Sequence, residues 1–498
     1  MLWPSVNIVL FLLFLTSAYL QVDTSVSVAW HEKHVRALKD VLSSASKVYY
    51  PNSTEFSTLS ARWSTLAEPK VNVVVVPSTE DDIVKIVQYA TQASLPFLTF
   101  NGAHAAITTL GRMQGGIEIY MGELSSVTIA QDNETVTIGG GTSSKTVTDA
   151  LWNVGKQTVI GTCECVSVLG PALGGGHGWL QGHYGLIADQ FVSMNVVLAD
   201  GTLQTIEPKS DLWWAMKGAG QNFGIVTSLT LKIYEIEQYD WAIETLIFNG
   251  DKVEAVYQAA NDHLSNLPVN LINWSYWLNI PSADPDKPII LFYIIQEGAT
   301  AVNPTFTKPF HDIGPISIET ESGDYRDLAR WTQIALDSPP CQKAGLANPR
   351  FPAYIKEYNI STQKLAYDAF AAEVSGDSPF STSIFMFEAY PIQGVRAIDS
   401  ESTAFAFRSE NIITAPLITY TPAGSELDQR AAELGNKLRR IVHRGTGSDE
   451  LHAYVNYAFG DESRQNWYGY EKWRQDRLGA LKKKYDPEGR FSFFAPVA

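Results

Sequence analysis

At 498 residues the chain is longer than one hydrophobic core usually fills, so about two domains are expected. A formal charge of −16 argues against nucleic acid and anionic membranes as partners, and disfavours a strongly anionic substrate unless a local basic patch overrides it. Three cysteines are too few for a disulfide scaffold, while 13 Trp and 22 Tyr are material for an aromatic-lined pocket as well as for ordinary core.

Residues 1–20 read as a signal peptide. The apolar run at 8–15 is too short to span a bilayer comfortably, and small residues around Ala18 suit cleavage. Sequons at Asn52, Asn133, Asn273 and Asn359 agree with export. A secreted or endomembrane-lumen glycoprotein, free of the membrane once the signal is removed, is therefore expected.

The β-branched run at 71–76 predicts a buried strand, and Pro77-Ser78-Thr79 with three acidic residues predicts a capped helix. Ile83, Ile86, Val87 and Ala90 recur at helical spacing, and a second strand follows at 95–100. This β-α-β unit delivers Asn101-Gly102-Ala103-His104-Ala105 at a strand's C-terminal end, where α/β sheets hold ligands. Strands are predicted at 117–120, 127–130 and 135–138, then a helix carrying Val147, Ala150, Leu151 and Val154. Residues 192–206 read as a hairpin with a two-residue Asp200-Gly201 turn, and 223–234 as a long strand. From 239 the texture changes to alternating segments, such as 289–296 and 383–390, mixed with helices. The chain thus divides into 60–238, a second α+β domain at 239–450, and a tail at 451–498 with a basic helix at 473–485.

Two small-residue loops carry the chemistry. One holds His104; the other is Gly161-Thr162-Cys163-Glu164-Cys165, followed by Gly174-Gly175-Gly176-His177. An imidazole and a thiol can bond covalently to an electrophilic ring that glycine backbone approaches closely. The glycines, ahead of a helix-like stretch, would face an anion with consecutive N–H groups, and the same dipoles would favour the Cys163 thiolate. A third element, 218–227, would let main-chain atoms read an adenine edge. Each signal alone has a plainer reading as a turn, a buried thiol or a structural histidine. No metal site is expected.

In this order, the loops at 101–105, 161–178, 184–190 and 218–227 resemble the flavin domain of the vanillyl-alcohol-oxidase/p-cresol-methylhydroxylase (PCMH) superfamily. More narrowly they resemble its berberine-bridge-enzyme-like branch in fungal secondary-metabolite form. The tail, with Tyr454-Val455-Asn456-Tyr457 and 484–491, is similar to that branch's C-terminal segment. The resemblance implies an α+β fold: a two-subdomain PCMH-type FAD module at 60–238, a substrate domain on an antiparallel sheet with helices at 239–450, and a tail returning to the flavin domain.

It also implies FAD bound through two bonds, His104 to the flavin 8α-methyl and Cys163 to C6, on opposite edges of one isoalloxazine. Asn101, Gly102, Ala103 and Ala105 would wrap the pyrophosphate. Gly161, Thr162, Gly174, Gly175, His177, Gly224 and Val226 would contact the cofactor, and Asn456 would approach the isoalloxazine. The implied activity is hydride removal from a small hydrophobic or aromatic secondary metabolite, with dioxygen reoxidising the flavin. The alternatives are an oligosaccharide oxidase and an oxidative cyclase.

Three departures from the family pattern bear on this. Ala103 replaces a usual glycine, which is tolerable at negative φ. Pro171 replaces a histidine near the flavin's anionic edge, leaving His177 or Tyr184 as support. Glu164-Cys165 replaces a common Pro-Thr, making Cys165 a rival for the thioether, with Cys341 paired or free. Residues 415–420 offer no carboxylate as catalytic base. Tyr454 and Tyr457 are the candidates, with Glu388 or a histidine behind them, and a phenol would need a depressed pKa.

Overall fold

Four valines, Val73 to Val76, are fully or almost fully buried in the strand Lys70–Val76, around which the first sheet forms. In this computed structural model, which describes residues 33–497, that strand runs parallel to Gln114–Tyr120, which in turn runs parallel to Phe97–Phe100. The helix Glu80–Gln92 covers the sheet with the four apolar residues its spacing predicts, capped reciprocally by Thr79 and Asp82. The signal-peptide expectation lies outside the described residues.

A second, five-stranded antiparallel sheet orders Val127–Ile129, Thr135–Gly139, Ile225–Lys232, Phe191–Val197 and Leu203–Ile206. Two sheets in one module is the expected two-subdomain arrangement. Local details differ from the sequence reading. The hairpin closes with Leu198 N–H on the Thr202 carbonyl, so its loop has a third residue, Ala199, and Gly201 takes φ +78°. The helix Ser144–Trp152 ends before Val154, which is exposed beside the left-handed Gly155.

The rest of the chain builds a seven-stranded antiparallel sheet, from Ser317–Gly323 at one edge to Ala353–Ile355 at the other. Strand periodicity sorts its faces. Leu271, Trp277, Phe385 and Phe387 point to the helices Val253–Leu264, Ile360–Val374 and Ser425–Arg444. Ile272, Trp274, Tyr293 and Ile295 join the core of the flavin-side module. The intervening residues Tyr276, Met386 and Glu388 are left facing a cavity between the two layers.

The tail returns to the first module. Lys482 Nζ donates to the Asn222 carbonyl (2.9 Å), to the Phe491 carbonyl (2.9 Å) and to Asp486 Oδ2 (2.6 Å). Val497 N–H donates to Asn222 Oδ1. This fastens the helix Lys472–Tyr485 to the 218–227 loop.

Candidate active site

A cavity of about 1210 Å³ lies between the flavin-side module and the inner face of the large sheet. Every predicted site residue lines it except Gly174 and Gly175. The two exceptions have a physical reason. The glycine run follows a short helix, Leu169–Leu173, and the Gly174 and Gly175 N–H groups are spent on the Pro171 and Ala172 carbonyls. No anion nest forms there. Gly174 is needed for close packing instead, because a Cβ on it would stand 2.3 Å from Asn456 Oδ1.

Unspent donors lie instead in the other loop. Phe97–Phe100 ends at Asn101, whose amide donates to the Gly141 carbonyl (2.6 Å) and fixes the turn. Ala103 takes φ +54°, not the negative value its methyl prefers. Among the described residues no protein acceptor takes the N–H groups of Gly102, Ala103 and Ala105. Ala103 is only 6% exposed, so these donors suit a buried diphosphate. Close approach to the cysteine loop also needs Gly102, where a Cβ would lie 3.1 Å from the Cys165 carbonyl.

His104 stacks on Trp63 at 4.5 Å, and its Nε2 lies 2.6 Å from the Pro340 carbonyl. A carbonyl only accepts, so Nε2 carries the proton and Nδ1 keeps its lone pair. Burial, with the Arg350 charge second, pushes the His104 pKa down to about 3. The ring is a neutral nucleophile.

Cys165 is bonded to Cys341, which leaves Cys163 as the free thiol of the pair. The same disulfide rules out the group His104, Cys163 and Cys165 as a metal site, although their donor atoms lie within 4.8 Å of one another. That closeness corrects the expected placement on opposite edges. The imidazole and the thiol converge side by side. Burial raises the Cys163 thiol to about 11, against the expectation that dipoles would favour its thiolate.

The unusual Glu164-Cys165 pair has a structural use. Glu164 accepts from Leu336 N–H (3.0 Å), its own N–H donates to the Ile334 carbonyl, and Cys165 is tied to Cys341. All three contacts hold the 334–341 loop, which presents Pro340 to His104.

His177 cannot replace the charge missing at Pro171. Its Nδ1 donates to Gln181 (2.8 Å), Nε2 accepts from the Tyr354 hydroxyl (2.8 Å), and burial lowers its pKa to about 4. Tyr184 stacks on Tyr234 outside the cavity lining. Gly161, Thr162, Gly224 and Val226 line the cofactor side, and Asn456 joins the Pro171 carbonyl to the Tyr454 hydroxyl.

Opposite stands the large sheet. Glu388, 3% exposed, accepts from Tyr457 (3.0 Å) and Tyr390 (3.1 Å), and burial raises its pKa to about 7. Burial also raises both candidate phenols: Tyr454 to about 12, and Tyr457 well above its ordinary value, with the Glu388 charge adding to it. Neither is a tyrosinate at neutral pH. The carboxylate absent from 415–420 is thus supplied one strand over. Trp63, Arg350 and the Pro340 carbonyl belong to no motif and escape sequence reasoning, whereas strict alternation along 383–390 already puts Glu388 on one face with Met386.

Unspent buried N–H donors, a neighbouring imidazole and thiol, and a facing carboxylate with a pKa near neutral suit a flavin-dependent oxidoreductase. A family model described as FAD binding domain matches residues 71–207, and one described as berberine and berberine like matches 453–497. The FAD-linked oxidoreductase chyH of Penicillium rubens is 57% identical, covering 93% of each chain. Its counterpart chry5 of Gibberella zeae is 52% identical, covering 93% of this chain and 94% of its own. Among solved structures, BBE-like 1 of Physcomitrella patens superposes with a TM-score of 0.79 at 20% identity, covering 94% of this chain and 99% of that one. A glucooligosaccharide oxidase of Acremonium strictum, described with a 6-S-cysteinyl, 8α-N1-histidyl FAD, gives 0.79 at 17% identity, covering 94% and 98%. The chain belongs to the berberine-bridge-enzyme-like family of FAD-linked oxidoreductases.

Proposed function

We propose that the protein is an oxidase holding FAD through His104 Nδ1 and Cys163 Sγ, and that it removes a hydride from an aromatic secondary metabolite. The bound flavin supplies the two-electron acceptor, and dioxygen regenerates it. Asn101, Gly102, Ala103 and Ala105 bind the diphosphate, and the C-terminal strap closes the site against water.

The observation that carries the reading is Glu388. With a pKa near 7 it accepts a proton at neutral pH, and Tyr457, donating to it, relays the proton of a substrate hydroxyl or amine. The substrate side of the cavity is walled by Trp274, Tyr276, Tyr293 and Tyr390, which suits a flat aromatic ring. Such rings also stack on sugar faces, so an oligosaccharide oxidase is the second reading. An oxidative cyclase loses its motive, a missing carboxylate, once Glu388 faces the cavity. Hydrogen peroxide release, screened over aromatic alcohols and amines against oligosaccharides, tests the assignment. Turnover confined to the aromatic set is expected, and turnover confined to sugars overturns it.

Export to an oxidising compartment is part of the proposal. The Cys165–Cys341 disulfide favours it, as do the exposed Asn52, Asn133 and Asn359. Asn273 is not a glycan site, because it is 1% exposed in a central strand and its amide donates to the Tyr293 carbonyl.

A further inference from the structure

Three arginines line the cavity, and two have carboxylate partners: Arg62 with Glu118 at 2.7 Å and Arg490 with Glu488 at 2.7 Å. Arg350 is different. It is 9% exposed, and among the described residues no carboxylate lies within salt-bridge distance and its buried Nε has no hydrogen-bond partner. Its guanidinium lies 4.5 Å from the ring centroids of both Trp63 and Tyr457. Ring faces compensate part of the charge but accept none of the five in-plane N–H donors. A buried cation left this way is costly unless something else completes it. Among the described residues Glu388 feels the Arg350 charge through space, with Tyr457 between them, but no carboxylate pairs with the guanidinium directly.

The position narrows what the missing partner is. Through Trp63, Arg350 joins the stack that holds His104, and through Tyr457 it adjoins the hydroxyl bonded to Glu388. It therefore stands in the cavity wall between His104 and Glu388. With Nε buried, only the two Nη groups remain to meet a ligand, and side by side they match the two oxygens of a carboxylate.

We infer that Arg350 is the specificity-determining residue for the reaction, and that the substrate is an aromatic carboxylate bound through a guanidinium–carboxylate pair. Arg350 is then the local basic feature that overrides the unfavourable net charge. The inference rests on the aromatic substrate class proposed above, but its test reads binding, not turnover.

The holoenzyme is titrated with benzoate and with benzamide, its uncharged isostere, following the visible flavin spectrum and, independently, thermal unfolding. Benzoate is expected to bind at least about 10-fold more tightly, as a charge-assisted bidentate contact should. Arg350→Met should bring the two ligands within about twofold, and Arg350→Lys should keep part of the preference. Equal affinity of the unaltered protein for both probes overturns the inference whether or not any variant folds. So does a preference that survives in Arg350→Met, even if the reduction potential falls, because the guanidinium would then serve the flavin's own negative charge. Failure of the peroxide screen would instead strike the oxidase reading and leave the binding result standing.

Discussion

Glu388 is the proposed base, and its behaviour with pH follows from burial. Its pKa, about 7 in the fold, is raised from an ordinary 4.5. The protonated form is therefore favoured in the folded state, and folding stability falls as pH rises from 4.5 through 7, by about 3 kcal/mol in all. Turnover should rise over the same upper range as the base ionises. Glu388→Gln should lower kcat by about 10²–10⁴-fold, abolish the limb near pH 7, and make the protein more stable than the unaltered chain above that pH. A variant with an unchanged pH–rate profile would show that another group is the base. Ala103 makes a second residue-scale case. Its left-handed φ costs a non-glycine residue roughly 1–2 kcal/mol, so Ala103→Gly should be neutral or mildly stabilising by denaturant unfolding, whereas Ala103→Val should destabilise and lower flavin content. An alanine by itself favours the negative sign; the glycine usual at this position in the family was the one pointer to the left-handed angle.

At the scale of elements, what was legible is what periodicity controls. The helix Glu80–Gln92 buries the residues its spacing picks out, and the strand Ile384–Ala389 alternates between the helix layer and the cavity. Loops were read less well, since their outcome depends on distant partners. By composition the glycine run suits an anion, but the Gly174 and Gly175 amides go to the preceding helix, and the unspent donors are in the 101–105 loop. The role of Glu164-Cys165 becomes visible only when residue 341, far along the chain, is brought alongside. The tail's attachment is the element-scale contact easiest to break. Lys482→Met leaves Asp486 buried without its cation and the Asn222 carbonyl without a donor. It should cost about 3–5 kcal/mol and loosen the 218–227 loop, read as a lower unfolding midpoint together with faster proteolysis of the tail. An unchanged midpoint would mean that the strap adds little.

Across the whole molecule, the site is assembled by segments hundreds of residues apart: the 101–105 and 161–165 loops, the inner face of the seven-stranded sheet, and a C-terminal strap. The family pattern marked the first two and the strap, because close backbone approach restricts residue choice there. The sheet face went largely unmarked, because any aromatic-rich strand satisfies its packing and only the tertiary layers show which rings meet the cavity. The same architecture makes cofactor attachment the most exposed claim of the account. Denatured, acid-precipitated protein should remain yellow, and peptide mapping by mass spectrometry should find one flavin joined to both the His104 and Cys163 peptides, with Cys165 still linked to Cys341. Flavin released to the supernatant, or recovered on Cys165, would contradict it.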